Sequence, residues 1–365
     1  VALAGKTFAN VQAAEQASGG AKAIASQTIT LDGTDRPATV KMAGLRCEML
    51  PHPMGVDTPT PRLSWKLTDT RRGARQTAYR VLVASSSELL GRDQGDLWDS
   101  GKIESDQSHL VEYAGKPLVS GQHCYWKIRA WDMEGKEGAW SEPSWWEMGL
   151  LSPSDWQAKW IKGAQETVRS ELTDDWIEYA MVKSSSDTPE VLAGAQQYGS
   201  QLLPAQVLMG CDFTLDTIPT TARMYASARG FYTVYLNGER VGDDEYEPAR
   251  VAPTDATTYY ATYDITTLLR KGENRLRCVV RTGRFEKTAA LLLQINAEIG
   301  GESKVLVASD ATWRQTTCRI VNGDYDLGEV YDARIRDALV HADPVSTSAW
   351  KSSVQKFSNK LNVRW

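Results

Sequence analysis

What the sequence has little of narrows it first. Its 365 residues hold four histidines and five cysteines, Cys47, Cys124, Cys211, Cys278 and Cys318, with no CxxC pair among them. No histidine stands at ligand spacing beside them, which argues against a zinc site. A sparse, odd set in a chain of this length reads as buried reduced thiols, with one bridge left open. No run of about eighteen apolar residues occurs, so nothing encodes a bilayer-spanning helix. Positive charge is short as well: 41 Lys and Arg against 46 Asp and Glu give a net charge of -5. That balance argues against nucleic acid, whose binders need a basic face to displace counterions. The nucleophile elbow, the phosphate-binding glycine loop, HExxH and the dinucleotide fingerprint are all missing. None of the histidines (His52, His109, His123, His341) lies beside a serine or cysteine in a triad-like pattern.

What is present is a folded, globular composition, 42% hydrophobic and 24% charged, in a chain long enough for two or three domains. Val rather than Met at position 1 predicts upstream removal. The compartment is open from sequence, with periplasmic or secreted favoured over cytoplasmic. Residues 1–43 read as an N-terminal extension, with a short helix within Val1–Ala25 and one strand at "SQTITL". From Leu45 short strands recur about every ten residues, the spacing of a β-sandwich. In "HCYWKIRAWD", Tyr125, Lys127, Arg129 and Trp131 fall on one face and Trp126, Ile128 and Ala130 on the other. The tryptophans read as core, with stacking platforms for sugar rings as the competing reading.

The expected domain scheme is an extension at 1–43, a fibronectin III-like sandwich at 44–152, a larger jelly-roll β-sandwich at 153–340 and a tail at 341–365. "LSPSDWQAKWI" reads as a linker ending in a strand. Polar sequence at about 163–203 reads as a surface insertion with a helix at Val191–Tyr198. The fold class is all-β. Within the second sandwich, "FYTVYLNGERVG" places Asn237-Gly238 between two strand patterns. A type I′ hairpin turn needs positive φ at both central residues, which Asn and Gly tolerate best. In "LLRKGENRL", Gly272 is expected in a left-handed conformation before the next strand.

Acidic residues offer one chemical possibility. "GDDEYEP" gathers Asp243, Asp244, Glu245 and Glu247, and Asp243, Asp244 and Glu247 are the candidate ligands for a Ca²⁺ ion. A solvated acidic loop is the plainer reading, because the string lacks the glycine and spacing of a calcium loop. Neighbouring carboxylates on one loop are poorly placed to flank a glycosidic bond.

The order of motifs is more specific than any one of them. "LRCEMLPHPMGVDTPTPRLSW", "YRVLVASS", "LWDSGKIESDQS", "YWKIRAWDMEGKEGAWSEPSWWEMGLL" and "DWQAKWI" together resemble the N-terminal fibronectin-like module of bacterial α-L-rhamnosidases. "ARMYASARGFYTVYLNGERVG", "YATYDITTLLRKGENRL" and "GEVYDARI" resemble the β-sandwich module that follows it, so the likeness runs from about Leu45 to Arg336. It implies the non-catalytic portion of an inverting glycoside hydrolase, whose (α/α)6 barrel is expected as the partner. The chain alone is expected to be inactive, and a large apolar face is expected where that barrel would rest. A standalone carbohydrate-binding or adhesion protein is the alternative.

Some family members hold rhamnose on the second sandwich through calcium. The matching segments here are "ARVAPTDATTYY", which keeps Thr254 and Asp255 without the tryptophan, and "TGRFEK", also without one. The resemblance makes Asn237, Asp255 and Asp264 the candidate carbohydrate contacts. Asp264, in "YDIT", also fits a role in satisfying free backbone amides.

Overall fold

The computed structural model describes residues 40–162, 207–243, 257–281, 290–317, 320–324, 328–331, 355–356 and 362–364. Most of the expected N-terminal extension, the insertion with its helix, and Asp244, Glu247 and Asp255 lie outside the described residues. The earlier strands are β1 (Lys41–Cys47), β2 (Arg62–Thr68), β3 (Ala78–Ala84), β4 (Trp98–Asp99), β5 (Val111–Glu112), β6 (His123–Trp131), β7 (Ser144–Glu147) and β8 (Ile161–Lys162). The later ones are β9 (Val207–Leu215), β10 (Thr221–Arg229), β11 (Phe231–Leu236), β12 (Glu239–Val241), β13 (Thr257–Tyr259), β14 (Ala261–Asp264), β15 (Gly272–Arg281) and β16 (Ala290–Ile299). They are followed by β17 (Glu302–Ala308), β18 (Arg314–Thr317), β19 (Ile320–Asp324), β20 (Gly328–Tyr331), β21 (Gln355–Lys356) and β22 (Asn362–Arg364). Among the described residues, one five-residue helix, α1 (Ser87–Gly91), and two single 3₁₀ turns interrupt them.

One compact unit comprises Val1–Met49, Arg62–Gly115 and Tyr125–Ser144. One of its sheets runs β1-β2-β5, and β3 pairs with both β4 and β6. The expected alternation on β6 holds inward: Trp126, Ile128 and Ala130 are fully buried with Val81 and Val83 of β3. Outward, Arg80 lies directly across from Arg129, a like-charge pair that costs stability unless compensated. Compensation comes from Trp140, whose ring lies 3.9 Å from the Arg129 guanidinium and 5.0 Å from Lys127 Nζ. Carboxylates complete it: Asp99 takes Arg80 at 2.8 and 2.6 Å, Asp93 takes Lys127, and Glu137 takes Arg129. Burial pulls Arg129 below the usual arginine range, with nearby Asp93 opposing.

Past β1 the chain reverses through Glu48 and Met49, with φ of 47° and 67°. Left-handed backbone costs a non-glycine residue on the order of 1–2 kcal/mol, so something must hold it. Arg62 does most of this, donating from its backbone N (2.6 Å), Nε (3.1 Å) and Nη2 (2.6 Å) to the Glu48 carboxylate. Glu48 N donates back to Arg62 O at 2.9 Å, and Arg46 Nη1 donates to Met49 O at 2.8 Å.

The other compact unit comprises Leu50–Pro61, Lys116–Cys124 and Trp145–Trp365. It is the jelly-roll sandwich, with one sheet ordered β14-β10-β16-β8-β21, β17 also pairing β16, and a second ordered β12-β11-β15-β9-β18. Alternate residues of both sheets meet in one core, including Met209, Met224, Val234, Leu236, Leu276, Leu293 and Ile295. Each such side chain, fully buried, contributes roughly 1.5–3 kcal/mol. Cys278 and Cys211 border this core as free thiols. Burial pushes Cys211 up to about 12 and Cys278 well above the ordinary thiol value, so both are inert.

Strand β16 is buried on both faces, and its second face explains the segment that reads as a linker. Trp160 packs on Ala290 and Leu292, with Trp156 and Ala158 beside them. The fully buried Gln294 accepts from the backbone N–H of Gln157 (2.7 Å) and Ala158 (3.1 Å), and its Nε2 donates to Asp155 O and Asn296 Oδ1, each at 2.9 Å. Lys159 donates to Ser309 O at 2.7 Å and accepts from Ser309 Oγ at 2.8 Å. Residues 155–160 are therefore a strap, with their polar groups satisfied by buried side chains.

Upstream, Gly149 N donates to Val56 O at 2.8 Å, and Leu150 N donates to the Tyr260 hydroxyl at 2.9 Å. A Cβ on Gly149 would sit 2.2 Å from that hydroxyl and 2.6 Å from Gly55 O, so only glycine fits. Among the described residues, the exposed large apolar side chains are Met49, Leu50, Ile103, Val119 and Ile218. These stand on separate loops, Met49 and Leu50 apart, and make no apolar sheet face of the kind expected. No helix among the described residues is long and apolar enough to cross a membrane.

Candidate functional site

The expected site residues are distributed unequally. Asn237 sits at the β11–β12 tip with φ 56°, followed by Gly238 at 87°. Its Nδ2 donates to Leu268 O at 2.8 Å and to Asn274 Oδ1 at 2.9 Å, while its Oδ1 accepts from Arg275 N at 3.0 Å. Both amide hydrogens are committed within the protein. Asn274, fully buried, passes the constraint on: its Oδ1 accepts from Arg270 N at 2.9 Å, and its Nδ2 donates to Arg270 O (2.8 Å) and Gly272 O (3.0 Å). Gly272 takes the expected positive φ, 87°, at the first residue of β15.

Asp264 closes β14 about half exposed. Its Oδ1 accepts from Thr266 N (3.0 Å) and Thr266 Oγ1 (2.6 Å), the backbone-satisfying role its sequence context allows. The same oxygen is 3.0 Å from Arg223 Nη1. Asp243 is exposed. No group of three or more His, Cys, Asp or Glu among the described residues is arranged to hold a metal ion.

Sequence reading missed the cluster that Asp264 joins. Arg223 on β10 donates Nε to both oxygens of Glu147 (2.8 and 3.0 Å) and Nη2 to Oε2 (2.8 Å). Burial pulls Arg223 down, but hydrogen bonds and charge from Glu147, with the charge of Asp264, more than offset this and raise it. His123 Nδ1 lies 3.3 Å from Glu147 Oε2. Its ring stacks on Trp145 at 4.8 Å, and His52 stacks on the same indole at 5.1 Å. Two imidazole rings thus pack on the Trp145 indole. The available signal was one carboxylate in the apolar run "WWEMG", since a buried charge demands a partner. Chemically the cluster is a closed ion-pair network that fixes β10 to the segments around Glu147 and His123.

An immunoglobulin-like sandwich and a jelly-roll define a tandem all-β protein. The family described as "Rha78A-like, N-terminal immunoglobulin domain" matches residues 42–152, and the "Alpha-L-rhamnosidase N-terminal domain" matches residues 218–364. The chain thus carries two matches to α-L-rhamnosidase N-terminal domains, in that order. An α-L-rhamnosidase of Formosa agariphila is 32% identical over 303 residues, covering 78% of this chain and 30% of that protein. One from Streptomyces avermitilis is 26% identical, covering 83% of this chain and 43% of that protein. Among solved structures, the α-L-rhamnosidase from Dictyoglumus thermophilum aligns with a TM-score of 0.74 and 27% identity, over 89% of this chain and 35% of that one. The chain thus spans less than half the length of the relatives it matches.

Proposed function

We propose that the chain is the non-catalytic N-terminal portion of an α-L-rhamnosidase-like glycoside hydrolase and supports a catalytic barrel carried elsewhere on a longer polypeptide. The carrying observation is the ordered pair of family matches, joined to relatives of which this chain covers 30 to 43%. Buried, fully bonded networks support a scaffolding role, since they rigidify the module that bears them. In this reading, inverting hydrolysis of a terminal rhamnoside belongs to carboxylates of the barrel. The domain scheme is the extension at 1–43, the sandwich at 44–152, the jelly-roll at 153–340 and the tail at 341–365, in a periplasmic or secreted protein.

Carbohydrate contact is assigned to the jelly-roll edge around Asp264 and Asp255, and a Ca²⁺ role to Asp243 with Asp244 and Glu247. Exposure of the Asp243 and Asp264 carboxylates supports this assignment, whereas the bonding of Asn237 supports a turn role for that residue. The test is release of nitrophenol from 4-nitrophenyl α-L-rhamnopyranoside. None is expected from this chain, and turnover by the chain alone overturns the reading. Calorimetric titration with L-rhamnose, with and without Ca²⁺, tests the carbohydrate assignment, and no heat at millimolar sugar removes it.

A further inference from the structure

Asn-Gly carries a chemical liability as well as a turn preference, since asparagine is among the thermolabile side chains. The backbone nitrogen of the glycine can attack the asparagine side-chain carbonyl carbon, because glycine has no Cβ to hinder the approach. A new N–C bond closes a five-membered succinimide, and the side-chain nitrogen leaves as ammonia. Water then opens the ring at either carbonyl. The product is aspartate, or isoaspartate with one more methylene in the main chain.

At Asn237-Gly238 the fold withholds this attack. To react, the carboxamide must turn its carbon toward Gly238 N, yet both of its polar atoms are held elsewhere: Nδ2 by Leu268 O at 2.8 Å and Asn274 Oδ1 at 2.9 Å, Oδ1 by Arg275 N at 3.0 Å. Asn237 N donates to Arg275 O at 2.8 Å, which pins the main chain as well. The anchor does not yield, because Asn274 is fully buried and bonded to Arg270 N, Arg270 O and Gly272 O. Reaction therefore waits for the hairpin tip to lift from β15. Such local opening costs less than unfolding the whole domain.

We infer that Asn237 is a modification site gated by opening of the hairpin: silent while its carboxamide is bound, cyclised and hydrolysed once released, and unable to close again afterwards. This goes beyond the function proposed above and does not depend on it. The loss of closure follows from the donors. Aspartate has no hydrogens where Asn237 Nδ2 gives two, so a carboxylate oxygen would face Leu268 O and Asn274 Oδ1, acceptor against acceptor. Isoaspartate lengthens the main chain of a two-residue loop whose register, Leu236 opposite Glu239, leaves no slack.

The experiment incubates the 365-residue chain at mildly alkaline pH, folded in buffer and unfolded in guanidinium chloride. Mass spectrometry of the tryptic peptide Gly230–Arg240 reads the amide-to-acid mass gain and the separately eluting isoaspartyl form. Conversion is expected to be at least about tenfold slower in the folded chain, because it waits on opening. Equal rates in the two overturn the gate. Asn274→Ala removes the anchor and should move the rate in buffer toward the unfolded one. An unchanged rate in a variant that still melts cooperatively overturns the assigned restraint, and if the variant does not fold the wild-type comparison decides. Asn237→Asp supplies one product directly and should lower the melting temperature by about 3 °C or more. A melting temperature equal to that of the wild type overturns the loss of closure.

Discussion

Two turns in this molecule have nearly the same backbone and opposite chemistry. At Asn237-Gly238 the φ angles are 56° and 87°, and at Glu48-Met49 they are 47° and 67°. The first pair accepts that geometry at little cost, and the buried Asn274 anchors it from beneath. The second pair resists it and is held at the surface by Arg62, which is 48% exposed. A turn can thus be specified by intrinsic preference plus buried anchoring, or imposed against preference by an outside clamp. Only the first kind announces itself in sequence.

The largest effect should come from the buried side of the contrast. Glu147→Ala would strand the Arg223 guanidinium, 13% exposed, without its bidentate partner, at a cost of about 3–5 kcal/mol. A loss below 1 kcal/mol in urea denaturation would show that burial does not set the scale here. Next, Asn274→Ala leaves Arg270 N, Arg270 O and Gly272 O without their partner, and should cost about 2–3 kcal/mol. Opposite signs are expected at the two turns themselves: Met49→Gly should raise stability by about 1 kcal/mol, and Gly238→Ala should lower it by about as much. Matching signs would dissolve the comparison.

The smallest effect is a pH dependence of the surface clamp. Burial raises the Glu48 carboxyl, but hydrogen bonds from the Arg62 side chain and backbone outweigh it and hold the group below its ordinary value of 4.5. A depressed carboxylate stabilises the fold above that value and loses its contribution as pH falls through the lower folded value. Acid titration of the wild type against Glu48→Gln should therefore show curves that differ above pH 4.5 and converge below it.

The all-β class, the two sandwiches and the inward face of β6 were legible because strand burial repeats every second residue and needs no distant information. The hairpin at Asn237 was legible because its turn type demands particular residues. Glu147 with Arg223 was not, since 76 residues separate them and neither sits in a recognisable motif. The Glu48-Met49 turn was hidden for the converse reason: its residues argue against the conformation they adopt. The face of Trp140 was ambiguous in sequence, where an indole suits a sugar ring, and the structure gives that face to Arg129.

The strap over β16 has a practical consequence. Lys159 is exposed and lies in a stretch that reads as a tether, so trypsin would be expected to cut there first. A protease must pull several residues into its cleft, however, and here that means tearing Lys159 from Ser309 and Gln157 from Gln294. Cleavage at this lysine should wait for the jelly-roll to unfold, so the most accessible-looking peptide bond in the region becomes a late reporter of collapse rather than an early nick.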